Sequence, residues 1–407
     1  MLVQKSYKTE LDPTNKQITL FRKACGVRRF AYNWGLNKKI TQYEDTGKSD
    51  NFQGLLKDLN KIKDKEFPWM REVSTYVVQS AIHDLDEAYS HFFRRVKNGE
   101  KPGFPKFKSK KNGLGGFRLY NIIGKHVQLS GIKFPRIGLV KLKEQGYLPT
   151  SGVKINSATI KEHAGKWFVS LQVEESVETP NNQGEVVALD LGLDSFIHDS
   201  NNDSEDAPKP LKKSLDKLIK LSRQHSKKKK GSNSREKARK KLAKLHYKIS
   251  CQRNDFLHKL STNLTKTKLV IVVEDLNVSG MVRNHKLARS INDVSWSMFV
   301  SMLDYKSKWY GSTLFKVDRF YPSTQLCSNC GNRKIGEEKI GLDVRLYHCD
   351  KCNFECGRDY NASLNLLNYY NDMKELERRN TVRSTEMKPV ETSTLVESMK
   401  QEPSILR

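Results

Sequence analysis

Two apolar runs in this sequence each end on an acid. Val186-Val187-Ala188-Leu189 leads into Asp190, and Leu269-Val270-Ile271-Val272-Val273 leads into Glu274. Ligand crevices of α/β sheets open where strands end, so these two acids could share a metal ion. A third acid, Asp359, lies in Gly357-Arg358-Asp359-Tyr360-Asn361-Ala362, at the start of a segment that reads as helical from Ala362 to Leu367. Helix capping alone would also explain a carboxylate there. Phosphodiester hydrolysis by two metal ions needs several hard oxygen ligands converging on Mg²⁺ or Mn²⁺, one ion activating water and the other stabilising the leaving oxygen. Asp190, Glu274 and Asp359 are therefore the candidate catalytic and magnesium-binding set; any one alone would be weak evidence.

The cysteines suggest a second metal. Cys327-Ser328-Asn329-Cys330-Gly331 and Cys349-Asp350-Lys351-Cys352 form two C-x-x-C pairs separated by 18 residues, the spacing that tetrahedral Zn²⁺ bound by four thiolates requires. Four protein ligands leave no open coordination position, so the expected zinc ribbon is structural. Cys356 is an alternative ligand at poorer spacing. The total of seven cysteines is odd, and with the paired spacing it points to metal rather than disulfides and to a reducing cytoplasm.

At 407 residues the chain favours two or three domains, and Lys plus Arg number 73 against 46 Asp plus Glu, a formal charge of +27. A polyanionic partner is the simplest explanation. No apolar run approaches the length of a membrane span and the N-terminus has no signal-peptide core, which leads to the expectation of a soluble, intracellular protein without a membrane partner.

The elements that must hold these residues follow from periodicity. The first 110 residues read as mostly helical, with Asp12-Pro13-Thr14 as a helix start and Ile18, Phe21, Cys25 and Phe30 recurring after it. Val78, Ile82, Leu85, Tyr89, Phe92 and Val96 make a clearer apolar stripe that stops before Pro102-Gly103. Lys101 to Gly116 is basic and broken by Gly, Pro and Phe; it suits a phosphate backbone or a solvated linker. Around residues 130 to 175 the period becomes two, through Val153, Ile155 and Ile160 and then Trp167, Val169, Leu171 and Val173 across the turn His163-Ala164-Gly165-Lys166, a small antiparallel sheet or barrel. Lys209 to Lys248 holds 17 basic residues against two acidic ones, with Leu215, Leu218 and Leu221 and then Leu242, Leu245 and Ile249 at helical spacing. Two basic helices follow, and with acids so scarce ion pairs within them cannot account for the bias, which favours nucleic-acid contact. Trp296, Trp309, Tyr310, Arg319, Phe320 and Tyr321 could stack on bases, although core packing explains most of them.

The strand ending ALDLG, the strand ending VVEDLNVSGM, the segment RFYPSTQLCSNCG, the knuckle HCDKC and the segment GRDYNASLNLL, in this order and spacing, resemble the TnpB (OrfB) proteins of insertion sequences. FRKACGVRRFAYNWGL, AYSHFFRRVKNGEKPGFPKFKSKK, RNDFLHKLST and SINDVSWSMF are similar too, so the resemblance covers residues 1 to about 370. It implies a protein that binds a guide RNA from the transposon end and cuts matching double-stranded DNA at one RuvC-like site of RNase H-like fold. Asp190, Glu274 and Asp359 would be its first, second and third acids, and Cys327, Cys330, Cys349 and Cys352 its zinc insertion. Gln79 resembles, by position, a DNA-binding residue that touches the motif beside the target. One departure is Cys356-Gly357, where many members carry His-Asp before the Arg-Asp pair.

The expected architecture is α/β plus small β. An N-terminal strand and helical, helix-turn-helix-like recognition region (1–118) is followed by a small β-barrel (119–182). The first part of a RuvC-like nuclease (183–322) contains the basic helices (209–250), followed by the zinc ribbon (323–355), the last part of the nuclease (356–371) and a mobile tail (372–407). The expected partners are one guide RNA and double-stranded target DNA, bound by a cytoplasmic, nucleoid-associated monomer. The rival readings are a nuclease-inactive RNA-guided repressor, a DNA-joining transposase or accessory transposition factor, and a zinc-ribbon factor without catalysis.

Overall fold

The computed structural model describes residues 1–386 apart from Leu114 and Leu342, with only the backbone described at Asn112 and over 380–386. The chain forms two compact units. One comprises Met1–Pro180 with Lys209–Asp255, the other Asn181–Pro208 with the chain from Phe256 onward.

In the first unit, β1 (Leu2–Asp12) is followed by α1 (Asn15–Thr46), α2 (Phe52–Glu66) and α3 (Thr75–Lys97), and then by β2 (Gly116–Leu119), β3 (Val127–Gln128), β4 (Gly131–Phe134), β5 (Gly138–Leu142), β6 (Lys154–His163) and β7 (Lys166–Ser176). The strands pair antiparallel in the order β2-β6-β7-β1-β5-β4-β3. Thr14 starts α1 through a capping box: its hydroxyl accepts from the Gln17 amide at 3.3 Å, and the Gln17 side-chain carbonyl accepts from the Thr14 amide at 3.0 Å. The β6–β7 turn places Ala164 and Gly165 at φ 54° and 82°, the left-handed pair that a two-residue hairpin requires. Phe21 of α1 sits among Phe117, Phe134 and Trp167 of the sheet, so strand and helix faces share one core. Helix α2, which buries Leu55 and Leu59, escaped the sequence reading because its apolar stripe is short.

The two basic helices, α4 (Pro210–Ser226) and α5 (Asn233–Thr267), were expected inside the nuclease portion. Residues Lys209–Asp255 instead group with the first unit, where Tyr247 of α5 lies 5.1 Å from the ring of His163 and 5.5 Å from that of Phe168.

The second unit is built on five strands: β8 (Glu185–Leu191), β9 (Ile197–Asp199), β10 (Ser204–Glu205), β11 (Lys268–Glu274) and β12 (Thr313–Val317). Their order is β10-β9-β8-β11-β12, with β8, β11 and β12 parallel and β9 and β10 antiparallel. Helices α6 (Val278–Met281), α7 (Ala288–Val294) and α8 (Trp296–Tyr310) precede β12, the ribbon hairpin β13 (Leu346–His348) and β14 (Glu355–Gly357) follows it, and α9 (Arg358–Glu386) closes the described chain. Both faces of the sheet are covered, which explains why β8 and β11 read as continuous apolar runs without alternation. Val187, Leu189, Ile271 and Val273 pack with Leu257, Leu260 and Leu264 of α5 and with Trp296, Phe299 and Leu303 of α8. Ala188, Val270 and Val272 pack on the opposite face with Val317 and with Leu366 and Tyr370 of α9.

Helix α9 runs unbroken through residues 372–386, which the sequence reading assigned to a mobile tail. The error came from composition: these residues are charged and poor in aromatics, yet Glu375 pairs with Arg378 and Arg379 at helical spacing and supports a solvated helix. Residues 387–407 lie outside the described residues. No described helix is long and apolar enough to cross a membrane.

Candidate metal centres of the second unit

The register of the parallel strands brings the acids together. Leu189 stands opposite Val273, so Asp190 and Glu274 occupy the next step on neighbouring strands, at their carboxyl ends. Side chains alternate along a strand. Asp190 shares parity with Ala188, and Glu274 with Val270 and Val272, so both carboxylates point to the face covered by α9. Asp359 is the second residue of that helix.

Asp190 interacts electrostatically with both other acids. Burial, then the charges of Glu274 and Asp359, raise the Asp190 pKa to about 8, with Arg358 opposing. Burial also raises Glu274, opposed by a hydrogen bond that its Oε1 accepts from the buried Ser323 hydroxyl. Asp359 accepts two bonds on Oδ1 from the guanidinium of its neighbour Arg358, at 3.0 and 2.7 Å. The oxygens of the trio do not all fall within the 4.8 Å that encloses the four cysteine sulfurs.

Sequence reasoning missed several neighbours of this site. His198 on β9 is the cross-strand partner of Asp190, and its ring lies 6.0 Å from that of Tyr360. Ser323 and Arg358 had no signal in the sequence beyond their place beside motif residues. Beyond the end of β11, a cleft of about 340 Å³ is lined by Glu274, Asp275, Trp296, Asp304 and Lys316 among others. Among the aromatics considered for stacking, Trp296 is buried in the core, whereas Phe320 is 86% exposed. Arg319 is engaged with Asp275 through Nη2 to Oδ2 at 2.5 Å.

The four cysteines converge. Cys327, Cys330, Cys349 and Cys352 are the one group among the described residues that could hold a metal ion on ligand atoms all within 4.8 Å of one another. The two knuckles repeat one backbone design. In the first, the Cys327 amide donates to the Asn332 carbonyl at 2.9 Å and the Gly331 amide donates to the Cys327 carbonyl at 2.8 Å. In the second, Cys349 donates to Phe354 at 2.9 Å and Asn353 to Cys349 at 2.8 Å. The residue four after each leading cysteine, Gly331 or Asn353, has φ of 71° or 57°, the left-handed conformation that Gly and Asn tolerate best. Cys356 lies outside the cluster, on β14.

Helix α9 is fastened to the first knuckle by three asparagines at successive turns, a stripe that went unnoticed in the sequence. Asn361 Nδ2 donates to the Leu326 carbonyl at 2.6 Å, and its Oδ1 accepts from the Ser328 amide at 3.0 Å. Asn365 Nδ2 donates to the Ser323 and Leu326 carbonyls, both at 2.8 Å, and Asn368 Nδ2 to that of Ser328 at 3.1 Å. The ribbon also leads into the helix without a linker, since β14 ends at Gly357 and α9 begins at Arg358. Asp359 is thus held from both sides of its own chain.

A mixed α/β sheet with acids at its strand ends and a four-cysteine ribbon ahead of its last helix defines the class. Family models described as "Helix-turn-helix domain", "Probable transposase" and "Cas12f1-like, TNB domain" match residues 1–48, 168–285 and 296–366. A protein of Streptomyces pristinaespiralis named "Putative RNA-guided DNA endonuclease" is 32% identical, covering 90% of this chain and 89% of its own. One of Escherichia coli K12 with the same description, InsQ, is 28% identical over 89% and 91%. The chain belongs to the TnpB (OrfB) family. A cryo-EM structure of a Cas12f1–sgRNA–target DNA complex shares the fold at TM-score 0.52 and 13% identity, covering 90% of this chain and 98% of that one.

Proposed function

We propose that this protein is an RNA-guided DNA endonuclease that hydrolyses phosphodiesters of a double-stranded target at Asp190, Glu274 and Asp359. The observation that carries the reading is the shared face: strand parity turns Asp190 and Glu274 toward the helix whose first turn presents Asp359. In this reading the second unit is a RuvC-like nuclease of RNase H-like topology, and the antiparallel sheet of the first unit is a small barrel.

The donor chemistry fits a divalent cation. Hard carboxylate oxygens gather at a poorly solvated strand end, where burial and then the charges of Glu274 and Asp359 raise the Asp190 pKa against the opposing charge of Arg358. Mg²⁺ or Mn²⁺ held by these three acids would activate water and neutralise charge developing on a phosphodiester. Ser323 orients Glu274, and Arg358 holds Asp359 in place while lowering the charge density around it. Zn²⁺ fits the four thiolates, whose two knuckles share one geometry, and its role is to order the ribbon.

Base pairing with a guide RNA would supply specificity while the basic protein grips backbone and shape, so that the +27 charge makes affinity strongly salt-dependent. Gln79, partly exposed on α3, is the proposed contact to a short motif beside the target. The proposed setting is the cytoplasm of a prokaryotic host, on the nucleoid when DNA is bound, as a monomer with one RNA. The test is purification followed by cleavage. A discrete RNA should copurify, and Asp190→Ala or Glu274→Ala should abolish Mg²⁺-dependent cutting of a matching duplex while guided binding persists; a variant that still cuts refutes the site.

A further inference from the structure

The C-terminal end of α3 carries aromatic rings that its own core does not use. Phe93 is 60% exposed and Phe104 is 48% exposed, although both belong to one ring cluster. Tyr89 and Phe93 are stacked at 6.2 Å, Phe92 meets Phe93 edge-on at 5.2 Å, and Phe104 meets Tyr89 and Phe92 edge-on at 5.7 and 5.5 Å. The cluster is thus built and oriented by its own contacts, with open ring surface left over. Around it the charge is one-sided. From Arg94 to Lys111 the chain has eight basic residues and one acid, Glu100. Arg94, Lys97, Lys101 and Lys106 are all exposed.

An apolar partner protein or a second copy of this chain would have to bring such basic groups close to its own surface, and a second copy would set like charges against each other. A double-stranded helix offers phosphates but hides its base faces. Only an unpaired strand offers phosphates for the lysines and arginines and open π-faces for the rings. We propose that Phe93 and Phe104 form a stacking platform for unpaired bases of single-stranded DNA. The inference rests on the guided-cleavage reading in one respect: pairing one target strand with a guide displaces the other, which leaves unpaired DNA that needs a seat.

The test is fluorescence anisotropy of a labelled oligothymidine with the full-length protein across a salt series. Phe93→Ala with Phe104→Ala should weaken binding at least about fivefold at every salt concentration while leaving the slope of log affinity against log salt unchanged. Arg94→Gln with Lys97→Gln should instead flatten that slope. Because the ring is exposed, Phe93→Leu folds normally and separates stacking from simple apolar contact: it should bind as weakly as the alanine variant, whereas Phe93→Trp restores affinity. Wild-type affinity in the double alanine variant overturns the platform. So does a loss confined to oligouridine RNA, or a concentration-dependent dimer that Phe93→Ala dissolves in sedimentation. The readout is binding of an unguided oligonucleotide and requires no cleavage, so a failure of the nuclease reading and a failure of the platform are told apart.

Discussion

Neutralising Asp190 should stabilise the protein in Mg²⁺-free buffer, and more so as the pH rises. Burial and the charges of Glu274 and Asp359 raise its carboxyl from 3.8 to about 8 in the folded chain. Between those values the folded protein keeps a proton that the unfolded chain has released, so stability falls with increasing pH and the loss is complete once the pH passes the folded value. Each pH unit in that window is worth about 1.4 kcal/mol, which makes the loss from pH 6 to pH 8 on the order of 2 to 3 kcal/mol. Asp190→Asn removes this titration and keeps the shape of the side chain. Urea denaturation of wild type and Asp190→Asn, with zinc retained and Mg²⁺ absent, should give a stability gap that widens in favour of the variant by about that amount between pH 6 and pH 8. If the three acids hold Mg²⁺ as proposed, adding it should then stabilise the wild type more than the variant. The difference between the two proteins cancels groups that titrate identically in both. A gap that does not change with pH, or one that widens in favour of the wild type, would refute the electrostatic account of the site.

Ser323→Ala removes the hydroxyl that favours ionised Glu274, so the acid limb of the cleavage pH profile should move to higher pH; an unmoved profile would mean the hydrogen bond does not tune the site. Cys330→Ser should lower both zinc content and thermal stability, whereas Cys356→Ser should leave zinc content at the wild-type value, as elemental analysis of the two purified variants would establish. Asn353→Ala forces a less tolerant residue into the left-handed position of the second knuckle and should cost about 1 kcal/mol in denaturant titration, with the zinc still bound.

The elements that announced themselves in the sequence were those with one dominant pattern. The apolar runs before Asp190 and Glu274 could be read as buried strands, and the alternation of Val169, Leu171 and Val173 gave the hairpin, because a single period governed each. What could not be read was which face of the nuclease sheet each acid would take. In β8 and β11 both faces are apolar, since α5 and α8 cover one and α9 the other, and the two-residue alternation that would have disclosed orientation is erased. Charge misled in the opposite direction. It signalled nucleic acid around Lys209 to Lys248 yet could not say with which unit those helices pack, and it made a solvated helix beyond residue 372 look like a tail.

The cysteine pairs and Asp359 were legible as separate motifs, but their connection was not. A helical stripe of Asn361, Asn365 and Asn368 is unremarkable by composition, since asparagine is a poor helix former and is normally expected at helix ends or in turns. Its meaning appears only when the acceptors are known: four of the five bonds go to backbone groups of Leu326 and Ser328, which flank the leading cysteine of the ribbon. Because Asn361 and Asn365 are buried, losing either amide would leave peptide groups without partners, a cost of about 1 to 3 kcal/mol each. The cysteine cluster and the helix that carries Asp359 are therefore joined through these bonds, and loosening the knuckle should displace Asp359 without touching an acid. Asn361→Ala should consequently reduce cleavage more than it reduces RNA binding. If cleavage and RNA binding instead declined in equal proportion, the ribbon would be a fold-wide stabiliser, with no particular hold on the third carboxylate.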